Sequence, residues 1–344
     1  MLYILMLFTA YLSCSHVPEP VRAVNFTRKP NACYSASAFQ ALIAIPAWRS
    51  YIVNYPCTDM QNYDTELLKG LQNLIIQYTH AANSFLTEYD MDAFDTMLCQ
   101  KKIIIVREES ESRPFHDALT FINKLNQSLS ATDQCNFFDL FMFHQTHTIK
   151  DSENTRFEYV SEHRLLAMSS SGKQSLLELL KNSSIKTIHG TDGSVAASKS
   201  THLTSLPLIL CIEFGLGPEF QKQPLRSVEI QTHLNVQELI KTGLRTSLGP
   251  VDYELMSIIW QAHNHVRAYV KYNKIWYVCD DLYPSCEIVR NYTQDFNAGY
   301  LKNFHGYDLF YPIALFYQQV QPTADEPSLP LTELQSSLEL LSIS

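Results

Sequence analysis

Apolar positions fall into two regimes along the chain. In the first they recur at the spacing of a helix face. Asn31 to Ile45 reads NACYSASAFQALIAI, with Ala36, Phe39 and Ile43 at helical spacing, Leu42 beside them and Pro46 stopping the run. Leu67, Leu68, Leu71, Leu74, Ile75 and Tyr78 predict an amphipathic helix over 65–79, and Phe115, Leu119, Ile122 and Leu125 predict a third. The second regime begins at 206–214 (LPLILCIEF), too short and too uniformly apolar for a surface helix and so read as a buried strand. Beyond it, 253–260, 266–271, 275–279 and 309–317 are short aromatic and β-branched runs between polar turns, with a hairpin turn at Lys271-Tyr272-Asn273-Lys274. Residues 150–204 are rich in Ser, Thr and Lys apart from SLLELLK at 175–181, and read as an insertion or loop-bearing subregion. The tail 321–344 reads as a loose linker with one weak helix, and no internal repeat is present. A helix-rich half followed by a β-rich half places the chain in the α+β class.

Composition narrows the function. Apolar residues are 46% of the 344, enough to bury a sizeable core. The 26 Lys and Arg against 35 Asp and Glu leave a formal net charge of −9, which argues against a nucleic-acid binder. The 10 glycines are too few to favour glycine-rich phosphate loops. The eight cysteines, at 14, 33, 57, 99, 135, 211, 279 and 286, form no C-x-x-C pair, so neither a zinc ribbon nor a thioredoxin-type motif is present. His263-x-His265 and His144-x-x-His147 lack partner ligands at metal spacing, so neither a metal nor a cofactor is expected.

Residues 2–12 (LYILMLFTAYL) carry no charge but fall short of the roughly 20 residues that span a bilayer. Their length is that of a signal-peptide core, with small residues at Ser13-Cys14-Ser15, so 1–15 read as a signal peptide and the chain as secreted; a buried N-terminal element in a cytoplasmic protein is the alternative. Four N-x-S/T sequons, at Asn25, Asn126, Asn182 and Asn291, are compatible with export. No later segment reads as a membrane helix. Six cysteines beyond Cys14 and Cys33 allow disulfides by count in a secreted protein; Cys211 and Cys279, inside predicted core strands, are expected as buried thiols rather than bridge partners.

Cys33 sits where the first helix should begin, and the partial positive charge of a helix N-terminus favours a thiolate. A nucleophilic thiolate needs a neighbouring imidazole, and the imidazole needs a third group to fix its tautomer. His265 opens the strand HVRAYV and Asp280 follows the strand IWYVC, so a hairpin around Asn273 brings the two near each other. Spacing alone does not set Cys33 against them, and for Cys33 by itself a small buried thiol is the alternative.

NACYSASAFQALIAIPAWR resembles the cysteine box of ubiquitin-specific proteases, GNTCYMNSxLQxLxxxPxFR, with Asn31, Cys33, Tyr34, Ser37, Gln40, Leu42, Pro46 and Arg49 in register. YELMSIIWQAHNHVRAYVKYNKIWYVCDD resembles the histidine box, matching at Tyr253, Leu255, His265, Ala268, Tyr269, Trp276, Tyr277, Asp280 and Asp281. LPLILCIEF and IALFYQQ are similar to two further strands of the family and come in the same order. The resemblance spans 22–320. It implies a papain-like ubiquitin-specific protease fold, with a helical thumb, a β-rich palm and reduced fingers that lack the zinc cysteines of many relatives. It also implies Cys33 as nucleophile, His265 as base and Asp280 as orienting residue, with Asp281 its structural neighbour or a sharer of its role. The partners implied are ubiquitin or a ubiquitin-like modifier and ubiquitinated proteins, met by a monomer.

Three departures stand out. Arg28 stands five residues before Cys33, where the family usually places an oxyanion-holding Asn or Gln, which leaves Asn31 and backbone N–H groups beside a guanidinium. His263-Asn264 replaces a Gly-Gly pair, and RPFHDAL at 113–119 keeps only Asp117 of an acidic box. The first reading is a deubiquitinating thiol hydrolase. The alternatives are a ubiquitin-binding scaffold with a decayed site and a secreted papain-like protease acting on peptides.

Overall fold

The computed structural model describes residues 19–27, 33–55, 65–103, 118–129, 140–151, 154–167, 174–189, 195–214, 228–240, 251–262, 265–298, 301–302 and 309–320. The stretch 1–15 read as a signal peptide, Arg28, Asn31, Asp117, His263-Asn264, Cys57, Cys135 and the tail 321–344 lie outside the described residues.

The helical half begins with a short strand β1 (Asn25–Phe26) and helices α1 (Cys33–Ile43), α2 (Pro46–Asn54) and α3 (Thr65–Asn83). Strand β2 (Glu88–Tyr89) pairs in parallel with β1, and helices α4 (Asp92–Gln100) and α5 (Ala118–Leu129) follow. Pro46 ends the first apolar run, as expected, but it also opens α2: its missing N–H costs nothing in the first helical turn, where that donor has no partner within the helix.

Strands β3 (Phe143–Asp151) and β4 (Thr155–Glu162) come next, then β5 (Leu165–Ala167), β6 (Gln174–Ser175), helix α6 (Leu176–Ser183), β7 (Ile185–His189) and β8 (Val195–Leu203). A capping box starts α6: Ser175 Oγ accepts from the Glu178 N–H and the Glu178 carboxylate from the Ser175 N–H. Within the region read as an insertion or loop-bearing subregion, β4, β7 and β8 join β3 in an antiparallel sheet of four strands in the order β4-β3-β8-β7. Every residue of β4 is exposed or half-exposed, so its alternating Phe157 and Tyr159 face solvent rather than a core.

The remaining strands are β9 (Ile209–Phe214), β10 (Val228–Glu229), β11 (His233–Asn235), β12 (Asp252–Gln261), β13 (Val266–Tyr272), β14 (Ile275–Cys279) and β15 (Glu287–Ile288). Helix α7 (Tyr292–Ala298) precedes β16 (Leu301–Lys302) and β17 (Leu309–Gln319). A nine-stranded sheet runs β15-β14-β13-β12-β17-β9-β5, with β11 added beside β12 and β16 beside β17. The predicted hairpin joins β13 to β14 through Asn273 and Lys274 at φ 50° and 66°, the paired positive φ values of a type I′ turn.

The sheet is buried on both faces, which is why its strands read as apolar runs. On β9, Ile209 and Cys211 join the helix-side core, while Leu210, Ile212 and Phe214 join the core on the far face. All the residues of α1 are buried, sandwiched between the other helices and the sheet. Phe39 meets Phe94 of α4 and Phe121 of α5 at ring distances of 5.4 and 5.2 Å. Ser257 of β12 donates to the Ala41 carbonyl at 2.8 Å from the opposite side. The polar side chains this burial traps are satisfied: Gln40 Nε2 donates to the Val24 carbonyl at 2.6 Å, Tyr78 Oη to Gln40 Oε1 at 2.9 Å, and the Val24 N–H to Tyr78 Oη at 3.0 Å. That closed ring pins α1 against α3 and the chain that leads into it.

Burial also bears on the sequons. Asn25 and Asn126 are 2% and 9% exposed, so neither presents an amide to a glycosylating enzyme on the folded chain. Among the described residues no helix is long and apolar enough to cross a membrane.

Candidate active site

Cys33 is the first residue of α1, buried at 8% exposure where the helix's N-terminal N–H groups converge. His265 lies one residue before β13, and Asp280 one residue after β14. The register Ala268↔Cys279 at that end of the hairpin sets Arg267 opposite Asp280 at the next step, with His265 diagonal to it.

His265 Nε2 lies 2.7 Å from Asp280 Oδ1. A carboxylate only accepts, so Nε2 carries the proton and the other ring nitrogen, Nδ1, is left for the thiol. Burial pushes the His265 imidazole toward its neutral form, but hydrogen bonds to Asp280 and Cys33 and the negative charge on both outweigh it and raise its pKa from 6.5 to about 10. Hydrogen bonding thus runs from the head of α1 through His265 to Asp280. Cys211, buried on β9, has its thiol pushed up to about 12 by burial and then by Glu213, and is chemically quiet by contrast.

Asp280 is held in several ways. Its Oδ1 also accepts from the Leu282 N–H at 3.0 Å, and its carbonyl accepts from the Tyr283 N–H at 3.0 Å. Asn25 Nδ2 donates to the carbonyls of Asp280 and Tyr283 at 2.8 and 2.6 Å, tying the turn to β1. Arg267 Nη1 stands 4.0 Å from Asp280 Oδ2, and its guanidinium lies over the Phe310 ring at 3.9 Å. Phe310 in turn meets the His265 ring edge-on, 6.0 Å away at 83°.

Asp281 Oδ1 is 3.9 Å from His265 Nε2, so Asp281 is a neighbour of the pair and Asp280 makes the hydrogen bond. Among the described residues, His265, Asp280 and Asp281 are also the grouping whose ligand atoms come within 4.8 Å of one another, close enough for a cation. Two of the three, His265 and Asp280, are themselves joined by a direct hydrogen bond.

The structure therefore brings Cys33, His265 and Asp280 together, with Asp281 beside them. Asn25, Arg267 and Phe310 escaped the sequence reading. Arg267 left a signal: a charged residue inside the apolar run HVRAYV is buried only with a partner to answer it. Asn25 left none, because its partners are backbone carbonyls some 255 residues away.

A family model described as ubiquitin carboxyl-terminal hydrolase matches residues 23–311. Among curated proteins, none matches the chain.

Proposed function

The chain belongs to the ubiquitin carboxyl-terminal hydrolase family, and on that premise we propose that it hydrolyses the bond after the C-terminal glycine of ubiquitin with Cys33 as nucleophile, His265 as base and acid, and Asp280 as the residue that orients His265. The family supplies deubiquitinase-type hydrolase chemistry of the cysteine kind, with ubiquitin and ubiquitinated proteins as partners. The observation that carries the assignment is one imidazole bonded on one side to the cysteine at a helix head and, at 2.7 Å on the other, to a buried carboxylate.

The Cys33 thiolate attacks the glycine carbonyl carbon, and the carbonyl electrons move to oxygen. Collapse breaks the C–N bond as the His265 imidazolium gives its Nδ1 proton to the departing lysine amine, leaving a thioester. Neutral His265 then takes a proton from water as the water attacks the thioester. Expulsion of the Cys33 thiolate frees the ubiquitin carboxylate and restores the starting ion pair. Backbone N–H groups at the head of α1 are the proposed donors to the developing oxyanion, joined on family register by Arg28 and Asn31.

Ubiquitin carrying a thiol-reactive electrophile at its C-terminus tests this directly. A covalent adduct is expected on the wild-type chain and none on Cys33→Ala. No adduct on folded wild type overturns the hydrolase reading, and an adduct that survives in Cys33→Ala moves the nucleophile elsewhere.

Asn25 acts through Asp280 rather than on substrate. Asn25→Ala releases the turn from β1, and misplacement by about 1 Å costs about 10²-fold in turnover. Steady-state kinetics should show that loss in kcat with KM for ubiquitin conjugates nearly unchanged. An equal loss through KM alone would reassign Asn25 to substrate binding.

A further inference from the structure

Cys279 closes β14, and Cys286 stands immediately before β15. These strands pair Tyr277 with Ile288 and Val278 with Glu287, so the next step of the ladder sets Cys279 opposite Cys286. The Val289 N–H donates to the Trp276 carbonyl across the same ladder. Because hydrogen-bonded and non-hydrogen-bonded pairs alternate, Cys279 and Cys286 fall at a non-hydrogen-bonded position, where Cα atoms approach to about 4.5 Å. That separation is within the span of a disulfide. Their sulfur atoms are 2.6 Å apart, and no disulfide bond joins them. The residues between them, 280–285, are the turn that carries Asp280 and Asp281 and offers the two carbonyls held by Asn25.

We propose that Cys279 and Cys286 are a redox couple, oxidised by a low-molecular-weight disulfide of the glutathione class to a cross-strand disulfide that fixes the turn bearing Asp280. Cys286 is partly exposed while Cys279 is 2% exposed, so Cys286 meets the oxidant first. Burial, and after it the hydrogen bond from Cys286, hold the Cys279 thiol well above its ordinary pKa, which keeps it protonated until its partner has reacted. Cys286 loses its proton and attacks one sulfur of the oxidant; the S–S bond breaks and one thiolate leaves, to be protonated by water. Cys279 then attacks Cys286 Sγ, losing its proton as the second thiolate departs and is protonated in turn. The two protein thiols give up two electrons and two protons, and the oxidant leaves as two thiols.

Non-covalent contacts already hold the turn: Leu282 N–H to the Asp280 carboxylate, Tyr283 N–H to its carbonyl, Asn25 Nδ2 to two carbonyls, and the charges of His265 and Arg267 beside Asp280. A covalent tie at its base joins both ends of the segment one residue from Asp280. The cross-link rests on register and proximity; its bearing on catalysis rests on the orienting role proposed for Asp280.

The test uses full-length Cys33→Ala, which removes the competing thiol, equilibrated in buffers of increasing oxidised-to-reduced glutathione ratio, alkylated, and digested without reduction. The expected product is a peptide joining Cys279 to Cys286, two hydrogens lighter than the dithiol, with a Tm raised by several degrees. That rise should be absent in Cys33→Ala/Cys286→Ser. NMR of the His265 ring should show it keeping its proton to higher pH in the oxidised protein than in the reduced one. Alkylation of both cysteines at every ratio, or a cross-link from either to a different cysteine, overturns the proposal. Labelling of the wild type by electrophilic ubiquitin is independent of these readouts, so failure of the redox couple and failure of the hydrolase reading are told apart.

Discussion

Replacing Cys33 by alanine is expected to lower turnover of a ubiquitin conjugate by on the order of 10⁶-fold, the scale seen when a nucleophile acting as part of a unit is removed. Cys33 sits at the head of a helix buried along its whole length, and losing one sulfur there leaves the packing of Tyr34, Phe39 and Leu42 untouched. Affinity for ubiquitin should therefore be preserved in the variant. His265→Ala should cost nearly as much, and the double variant little more than either single one, because base and nucleophile serve one proton transfer. Turnover and binding measured together across the four proteins decide the matter. If the two single losses multiply in the double variant, Cys33 and His265 do not act as one unit and the assigned mechanism fails.

Asp280→Ala should cost on the order of 10⁴ in turnover, since His265 is left to choose its own tautomer and orientation. The substitution also strips the buried Arg267 of the carboxylate 4.0 Å away, so the loss has to be read per folded molecule. Asp280→Asn separates the two contributions. Its carbonyl still accepts from His265 Nε2, so orientation survives while charge is lost, and its activity should fall between wild type and alanine.

The same pair sets a pH dependence of stability. His265 has a folded-state pKa near 10 against an ordinary 6.5, so it binds its proton more tightly when folded. Its contribution to stability is fully present below about pH 6.5 and is lost as pH rises through about 10. Urea unfolding of the wild type between pH 6 and pH 10 should show this decline. Asp280→Asn, lacking the charge that holds the proton, should show a flatter curve; equal slopes would mean that the carboxylate does not set the titration.

The elements legible in the sequence were those whose burial wrote a period into it. The apolar stripes at 65–79 and 31–45 became α3 and α1, and the runs at 206–214, 253–260, 266–271, 275–279 and 309–317 became β9, β12, β13, β14 and β17. The sheet of β3, β4, β7 and β8 went unread because the Ser, Thr and Lys of 150–204 read like a loop and β4, exposed or half-exposed throughout, presents no buried face. Pro46 was legible as the end of one helix and not as the start of the next, since the same missing N–H suits both.

Cys33, His265 and Asp280 could be picked out one by one, from a helix head and from the two ends of a hairpin whose Asn273-Lys274 turn fixes its register. The approach of His265 to Asp280 was legible from the same hairpin; that of Cys33 to the pair was not, because nothing local sets the head of α1 against the open end of β13 and β14. Packing of α1 on the sheet does that, while the contact of β1 with the turn after β14 brings Asn25 to the Asp280 carbonyl and the order β13-β12-β17 within the sheet sets Arg267 over Phe310. Cys279, expected as a buried thiol rather than a bridge partner, gained a partner from β15, which is too short to be seen in sequence and whose pairing with β14 lays Cys286 opposite. By itself the sequence determined which residues are apolar in period and which carry reactive groups, both properties of neighbours along the chain. The approach of Cys33 to the His265–Asp280 pair was decided by long-range packing, because contacts between residues hundreds of positions apart leave no periodic trace in either partner.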